Sequence, residues 1–139
     1  MRATFLLILI SVCTISLKSN GQKPEADFKI VGYFGVNAAM EADTSSFPFN
    51  KLTHINLAFV NPDASGNFNR NFDALVPFIK AAHSHDVKVL YSIGGGASPE
   101  EYHDLLKQNK ARQGLIKNLV TKVLQYNVDG VDLDLELGY

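Results

Sequence analysis

Four short runs rich in β-branched and aromatic residues recur along the chain, at 28–34 (FKIVGYF), 52–60 (LTHINLAFV), 87–93 (VKVLYSI) and 129–135 (DGVDLDL). Each has strand length, and the first three stop at turn signals: Gly35, the Asn61-Pro62-Asp63 stretch, and the triple glycine Gly94, Gly95 and Gly96. Helical periodicity fills the later gaps. Asp73 is placed to cap a helix whose apolar residues Leu75, Val76, Phe78, Ile79 and Ala82 carry it to about His85. Ser98 as cap, Pro99 at the first helical position and Glu101 three residues after the cap open another. From Ala111 to Tyr126 the residues Leu115, Ile116, Leu119, Val120, Val123 and Leu124 recur as one helical stripe, expected to be buried. Only the first gap, with Asp43, Thr44, Ser45, Ser46 and Pro48, reads as a loop with one helical turn. Strands alternating with helices imply right-handed crossovers and a parallel sheet.

Two architectures satisfy four such units: a small open sheet, or half of an eight-stranded (β/α)8 barrel, whose full length is typically about 250 residues. The sequence reaches Tyr139 within a few residues of the fourth run and shows no helix to cover it. The expectation is therefore a fragment or truncated product carrying about the first four β/α units of a barrel.

The first residues are set aside from the fold. Arg2 precedes an apolar run from Ala3 to Leu17 that is shorter than the roughly 20 residues a spanning helix needs, so residues 1–21 read as a signal peptide. An uncleaved membrane anchor is the alternative, and either implies export, with a secreted or periplasmic destination. Residues 22–27 form a short polar linker, and residues 28–139 the barrel portion. Cys13, the only cysteine, lies inside the apolar run, so the mature chain has no disulfide, thiolate metal site or cysteine nucleophile. Its net charge is about −3 with basic residues scattered, which excludes a nucleic-acid surface. After cleavage no membrane contact is expected.

The chemistry is concentrated in Asp129-Gly130-Val131-Asp132-Leu133-Asp134-Leu135-Glu136. Successive side chains of a strand point to opposite faces, so Asp132, Asp134 and Glu136 share one face and Val131, Leu133 and Leu135 the other, which is expected to pack on helices. Three carboxylates in a row on a buried parallel strand carry a desolvation and repulsion cost that suggests a function. They cannot all ionise independently, and a carboxyl kept protonated near neutral pH is what general acid catalysis needs. Glu136, the longest and nearest the strand's C-terminal end, is best placed to reach a substrate. A solvated edge strand and a hard-cation site are the alternatives; no histidine stands at ligand spacing near the acids.

DGVDLDLE resembles the D-G-x-D-x-D-x-E signature of family 18 glycoside hydrolases, the chitinases and related endo-β-N-acetylglucosaminidases. Ser92-Ile93-Gly94-Gly95 is similar to that family's S-x-G-G motif, and Gly32-Tyr33-Phe34 and Thr53 to Phe59 resemble its first two strands. The resemblance implies a (β/α)8 barrel that cleaves with retention by substrate assistance, the sugar's own 2-acetamido oxygen acting as nucleophile. It gives Glu136 the role of acid on the glycosidic oxygen and Asp134 that of orienting the acetamido group. Asp132 would share a proton with Asp134 and be held by Ser92. Tyr33 and Phe59 would shape the floor of the sugar site, or serve as plain barrel packing. Gly94 and Gly95 would form a tight turn at the barrel top, and Asp129 is a further supporting residue. No cofactor or metal is implied, and the partner is an N-acetylglucosamine-containing polysaccharide or oligosaccharide, bound by a monomer when full length.

Leu135 and Gly96 stand where many members carry tryptophan, and the chain has no tryptophan at all. That speaks against a strong aromatic platform for crystalline chitin and leaves room for soluble oligosaccharides or N-glycan cores. Three readings follow: a hydrolase when full length, a sugar-binding barrel without hydrolysis, and an inactive product for the isolated 139 residues. Retention of Glu136 speaks for the first over the second. Mass spectrometry of the exported protein is expected to find a mature N-terminus near residue 22; a chain still beginning at Met1 would identify the anchor.

Overall fold

In the computed structural model, residues 28–96 and 101–135 are described, apart from the side chains of Glu101 and His103. The expected signal peptide, linker and Ser98 cap, and Glu136 itself, lie outside the described residues. Four strands form one parallel sheet in the order β1 (Val31–Gly35), β2 (His54–Ala58), β3 (Lys88–Gly94) and β4 (Gly130–Asp134). Helices α1 (Val36–Glu41), α2 (Val76–Ser84), α3 (Glu101–Lys107) and α4 (Asn109–Tyr126) lie between them, with 3-10 turns at Phe49–Lys51 and Asp73–Leu75.

A strictly sequential order settles how the helices are disposed. Crossovers of one hand that always step in the same direction put every helix on the same side of the sheet, as in a barrel wall, whereas a reversal of order would cover both sides. Burial follows that rule. The register places Phe34, Leu57, Tyr91 and Val131 side by side, and Ile55, Leu57, Val89, Tyr91 and Ile93 on this face are almost fully buried. Phe78, Ile79, Ala82, Leu115, Leu119 and Tyr126 from the helices complete the core. The rings of Phe34, Phe47, Phe49 and Phe78 pack with centroids 4.6 to 5.5 Å apart, clamping β1 to α2.

Local chemistry sets the boundaries. Pro77 fits the first turn of α2, where its missing N–H costs nothing. Asp73 does not cap this helix; it begins a 3-10 turn, and the α-helix starts after it. Asn127 closes α4 in the left-handed conformation (φ 54°), its N–H returning to the Val123 carbonyl. The stretch after β1, read as a loop with one helical turn, contains the short helix α1, whose Val36 and Ala39 are buried. Phe28 and Ile30 remain exposed ahead of β1, which starts later and ends later than expected.

Two expectations about burial are corrected. The sheet covers only one row of the α4 stripe: Leu115 and Leu119 are buried while Ile116, Val120 and Leu124 are exposed. Leu133 lies on the helix-facing side of β4 yet is 64% exposed, because among the described residues β4 pairs with β3 alone and no helix lies over its outer side.

The two ends of the β3–β4 pair are fastened differently. At the N-terminal end the Asp129 carboxylate accepts from the Val89 N–H (2.8 Å), Lys88 Nζ (2.9 Å) and His83 Nε2 (2.8 Å). At the C-terminal end the Gly95 N–H donates to the Asp134 carbonyl at 2.7 Å. There Gly94 has φ 115°, and a Cβ on it would lie 2.1 Å from that carbonyl oxygen.

Two outcomes follow. Gly94→Ala combines a forbidden φ with a backbone clash and should cost about 2 kcal/mol or more, read as a lower urea midpoint. Partial burial pushes the Asp129 carboxyl up, but the bonds from Val89, Lys88 and His83 outweigh it and leave it below its ordinary value. Its contribution is therefore present above the unfolded value of about 3.9 and lost as pH falls through the lower folded value. Asp129→Asn should flatten the acid limb of stability below about pH 4, measured by thermal melts at stepped pH.

Candidate functional site

On the sheet face opposite the helices, parity places Tyr33 on β1, Asn56 and Ala58 on β2, Ser92 and Gly94 on β3, and Asp132 and Asp134 on β4. The parallel register sets Ala58 beside Ser92, Ser92 beside Asp132, and Gly94 beside Asp134. The carboxylates thus reach this face because a two-residue period runs unbroken from Gly130 to Asp134.

Asp132 is held through a single oxygen. Its Oδ2 accepts from Ser92 Oγ at 2.7 Å and from Tyr33 Oη at 2.9 Å. Ser92 is fully buried, while Tyr33 is 55% exposed and reaches across the open face from β1. Tyr33 also bonds to the side chain of Asn56, which favours its phenolate; donation to Asp132, desolvation and the nearby charges of Asp132 and Asp134 outweigh this and raise its pKa. The phenol is thereby kept as a donor. With Oδ2 occupied by two hydroxyls, Oδ1 is the oxygen left for another partner, and Asp134 follows two residues along the same face, about 6 to 7 Å further on.

The glycine turn closes one side of this site. Gly95, at φ 84°, lies under the Phe59 ring so closely that a Cβ would approach the ring to 2.6 Å. Phe59, joined to Ala58 by a cis peptide, keeps its ring partly exposed at the C-terminal ends of the strands. Tyr33, Phe59, Ser92, Gly94, Gly95, Asp132 and Asp134 are therefore brought together.

Asp129 is not. It precedes β4 at the opposite end, five residues and about 16 Å of strand from Asp134, and its partners are the base of β3 and His83. An open groove of about 420 Å³ at that end, bordered by His83, Lys88, Asn127 and Asp129, lies away from the paired carboxylates. Among the described residues no three His, Cys, Asp or Glu side chains converge as metal ligands would.

Two asparagines were not singled out by the sequence reading. Asn56 is only 5% exposed, and its signal was parity, a polar residue in a strand in phase with Ala58. Asn61 was read as part of a turn, but its side chain hydrogen-bonds both backbone groups of Gly94.

Comparison with known proteins places this geometry. The chain is 27% identical over 134 residues to a chitinase-like effector of Moniliophthora roreri, covering 94% of this chain and 32% of that protein. Among solved structures it is similar to the GH18 chitinase ChiB from the chitin utilization locus of Flavobacterium johnsoniae (TM-score 0.67, 30% identity, covering 78% of this chain and 36% of that one). It is also similar to a GH18 chitinase from Cycas revoluta in complex with (GlcNAc)3 (TM-score 0.66, 25% identity, 81% and 35%). The chain thus spans about a third of the length of these relatives, and its four strands correspond to part of their (β/α)8 barrel. The family profile for glycosyl hydrolases family 18 matches residues 29–139, and the chain belongs to that family.

Proposed function

We propose that the complete protein to which these residues contribute is an exported hydrolase of β-1,4-linked N-acetylglucosamine chains, working by substrate-assisted retention. The observation that carries this reading is the double hydroxyl grip on Asp132 Oδ2 by Ser92 and Tyr33. Two bonds to one oxygen fix the orientation of the carboxyl group. They leave Oδ1 to share a proton with Asp134 as charge develops on the sugar. Asp134 then orients the 2-acetamido group so that its oxygen attacks the anomeric carbon, and it stabilises the cationic oxazolinium-like intermediate. Glu136 protonates the departing glycosidic oxygen and later activates the water that opens the intermediate. Phe59 and Tyr33, both exposed on this face, border the sugar. The trisaccharide in the plant relative's crystal structure supports an N-acetylglucosamine oligomer as the ligand class.

The Moniliophthora relative, described as a chitinase-like effector, supports a second reading, a sugar-binding protein without turnover. The acid at position 136 favours hydrolysis, since binding alone does not need it. Four strands supply one side of the site, so full activity is assigned to the complete barrel and not to these 139 residues alone.

In the complete protein, Glu136→Gln is expected to lower cleavage of a chromogenic N-acetylglucosamine oligomer by about 10³-fold while changing oligomer affinity little. Unchanged turnover in that variant refutes the assignment. Ser92→Ala removes one of two hydroxyls from Asp132 and should reduce kcat by about tenfold to hundredfold, checked by steady-state kinetics on the same substrate.

A further inference from the structure

Asn61 lies just beyond β2 and grips one backbone residue with both ends of its amide. Its Nδ2 donates to the Gly94 carbonyl at 3.0 Å, and its Oδ1 accepts from the Gly94 N–H at 2.7 Å. Gly94 is the last residue of β3, where the ladder runs out and backbone groups need other partners. The next residue carries the contact onward, because the Gly95 N–H bonds to the Asp134 carbonyl at 2.7 Å. A continuous path therefore runs from Asn61 through Gly94 and Gly95 to the backbone of Asp134, two positions before Glu136 in sequence.

The surroundings leave this path no slack. A Cβ on Gly94 would meet the Asp134 carbonyl at 2.1 Å, and one on Gly95 would meet the Phe59 ring at 2.6 Å. In packing this close, a shift of the turn is passed to its neighbours and not absorbed. Asparagine suits the task because one planar group offers both a donor and an acceptor, matching the carbonyl and N–H of a single residue. Aspartate keeps only the acceptor, and leucine keeps neither.

We propose that Asn61 is a positioning residue of this site: by fixing Gly94 it sets the Gly94-Gly95 turn, and through the Gly95 N–H it sets where the backbone of Asp134 stands. The consequence for turnover rests on the hydrolase reading above; the placement itself does not.

The test compares Asn61→Leu and Asn61→Asp with the unaltered full-length protein. It uses amide hydrogen exchange and kinetics on a chromogenic N-acetylglucosamine oligomer. In the leucine variant, exchange at Gly94 and Gly95 should accelerate about tenfold or more while Ile55 and Leu57 in β2 stay protected. Its kcat should fall about tenfold to hundredfold with KM within about threefold, the mark of a displaced reacting group and not of lost binding. The aspartate variant should keep Gly94 protected, loosen Gly95 about threefold, and recover most of kcat. Unchanged Gly95 exchange in the leucine variant overturns the proposal. So does acceleration spread evenly over the sheet, or an unchanged kcat in an active protein. If the unaltered protein turns over no oligomer, the hydrolase reading fails while Gly95 exchange still decides the placement. If the leucine variant does not fold, Gly95 exchange in the aspartate variant decides, and the same rate as in the unaltered protein overturns the proposal.

Discussion

The pairing of β3 with β4 is the contact on which the site depends. Ser92 stands opposite Asp132, and Gly94 opposite Asp134. A slip of one residue would turn every carboxylate of β4 into the helix layer and every leucine onto the open face. The register is pinned at both ends by different chemistry. Below, Asp129 collects the Val89 N–H and two basic side chains. Above, Gly94 and Gly95 allow the strand ends to approach to a distance that a side chain would forbid. Between these pins the Ser92 hydroxyl can reach Asp132 with little reorganisation, which is the condition for electrostatic preorganisation.

Much of this was legible in the sequence, and for identifiable reasons. The strands were readable because β-branched and aromatic residues cluster in them and turn residues end them. Their parallel arrangement followed from the helical segments between. The shared face of Asp132 and Asp134 followed from a period of two. What escaped was long-range. Nothing in the order of residues says that Tyr33 reaches Asp132 across 99 positions, or that Asn61 clasps a glycine 33 residues away. Such contacts depend on register between strands that the local pattern leaves free. Burial failed for a related reason, since a stripe of apolar residues announces that a helix has an apolar face and not how wide its cover is. Leu115 and Leu119 are covered in α4 and Ile116 and Val120 are not.

Apart from Phe28 and Ile30 ahead of β1, the large exposed apolar groups among the described residues fall in two kinds of place. Val31, Tyr33 and Phe59 lie on or beside the face that carries Asp132, while Leu133, Ile116, Val120 and Leu124 lie on the outer side of β4 and along α4. The first set lies toward Asp132 and Ser92, and the second lies on the helix side of the sheet. In a (β/α)8 barrel wall, the architecture of the solved relatives, the face opposite the helices is the inner one, and that is the face on which the first set stands.

Separating the two fastenings of β4 has an evolutionary consequence. The Asp129 carboxylate that ties the sheet together sits three residues from Asp132 and five from Asp134, toward the other end of the same strand. Replacing an acid at the upper end therefore leaves the lower anchor intact. Substitution on the open face can therefore change what that face recognises without rebuilding the architecture.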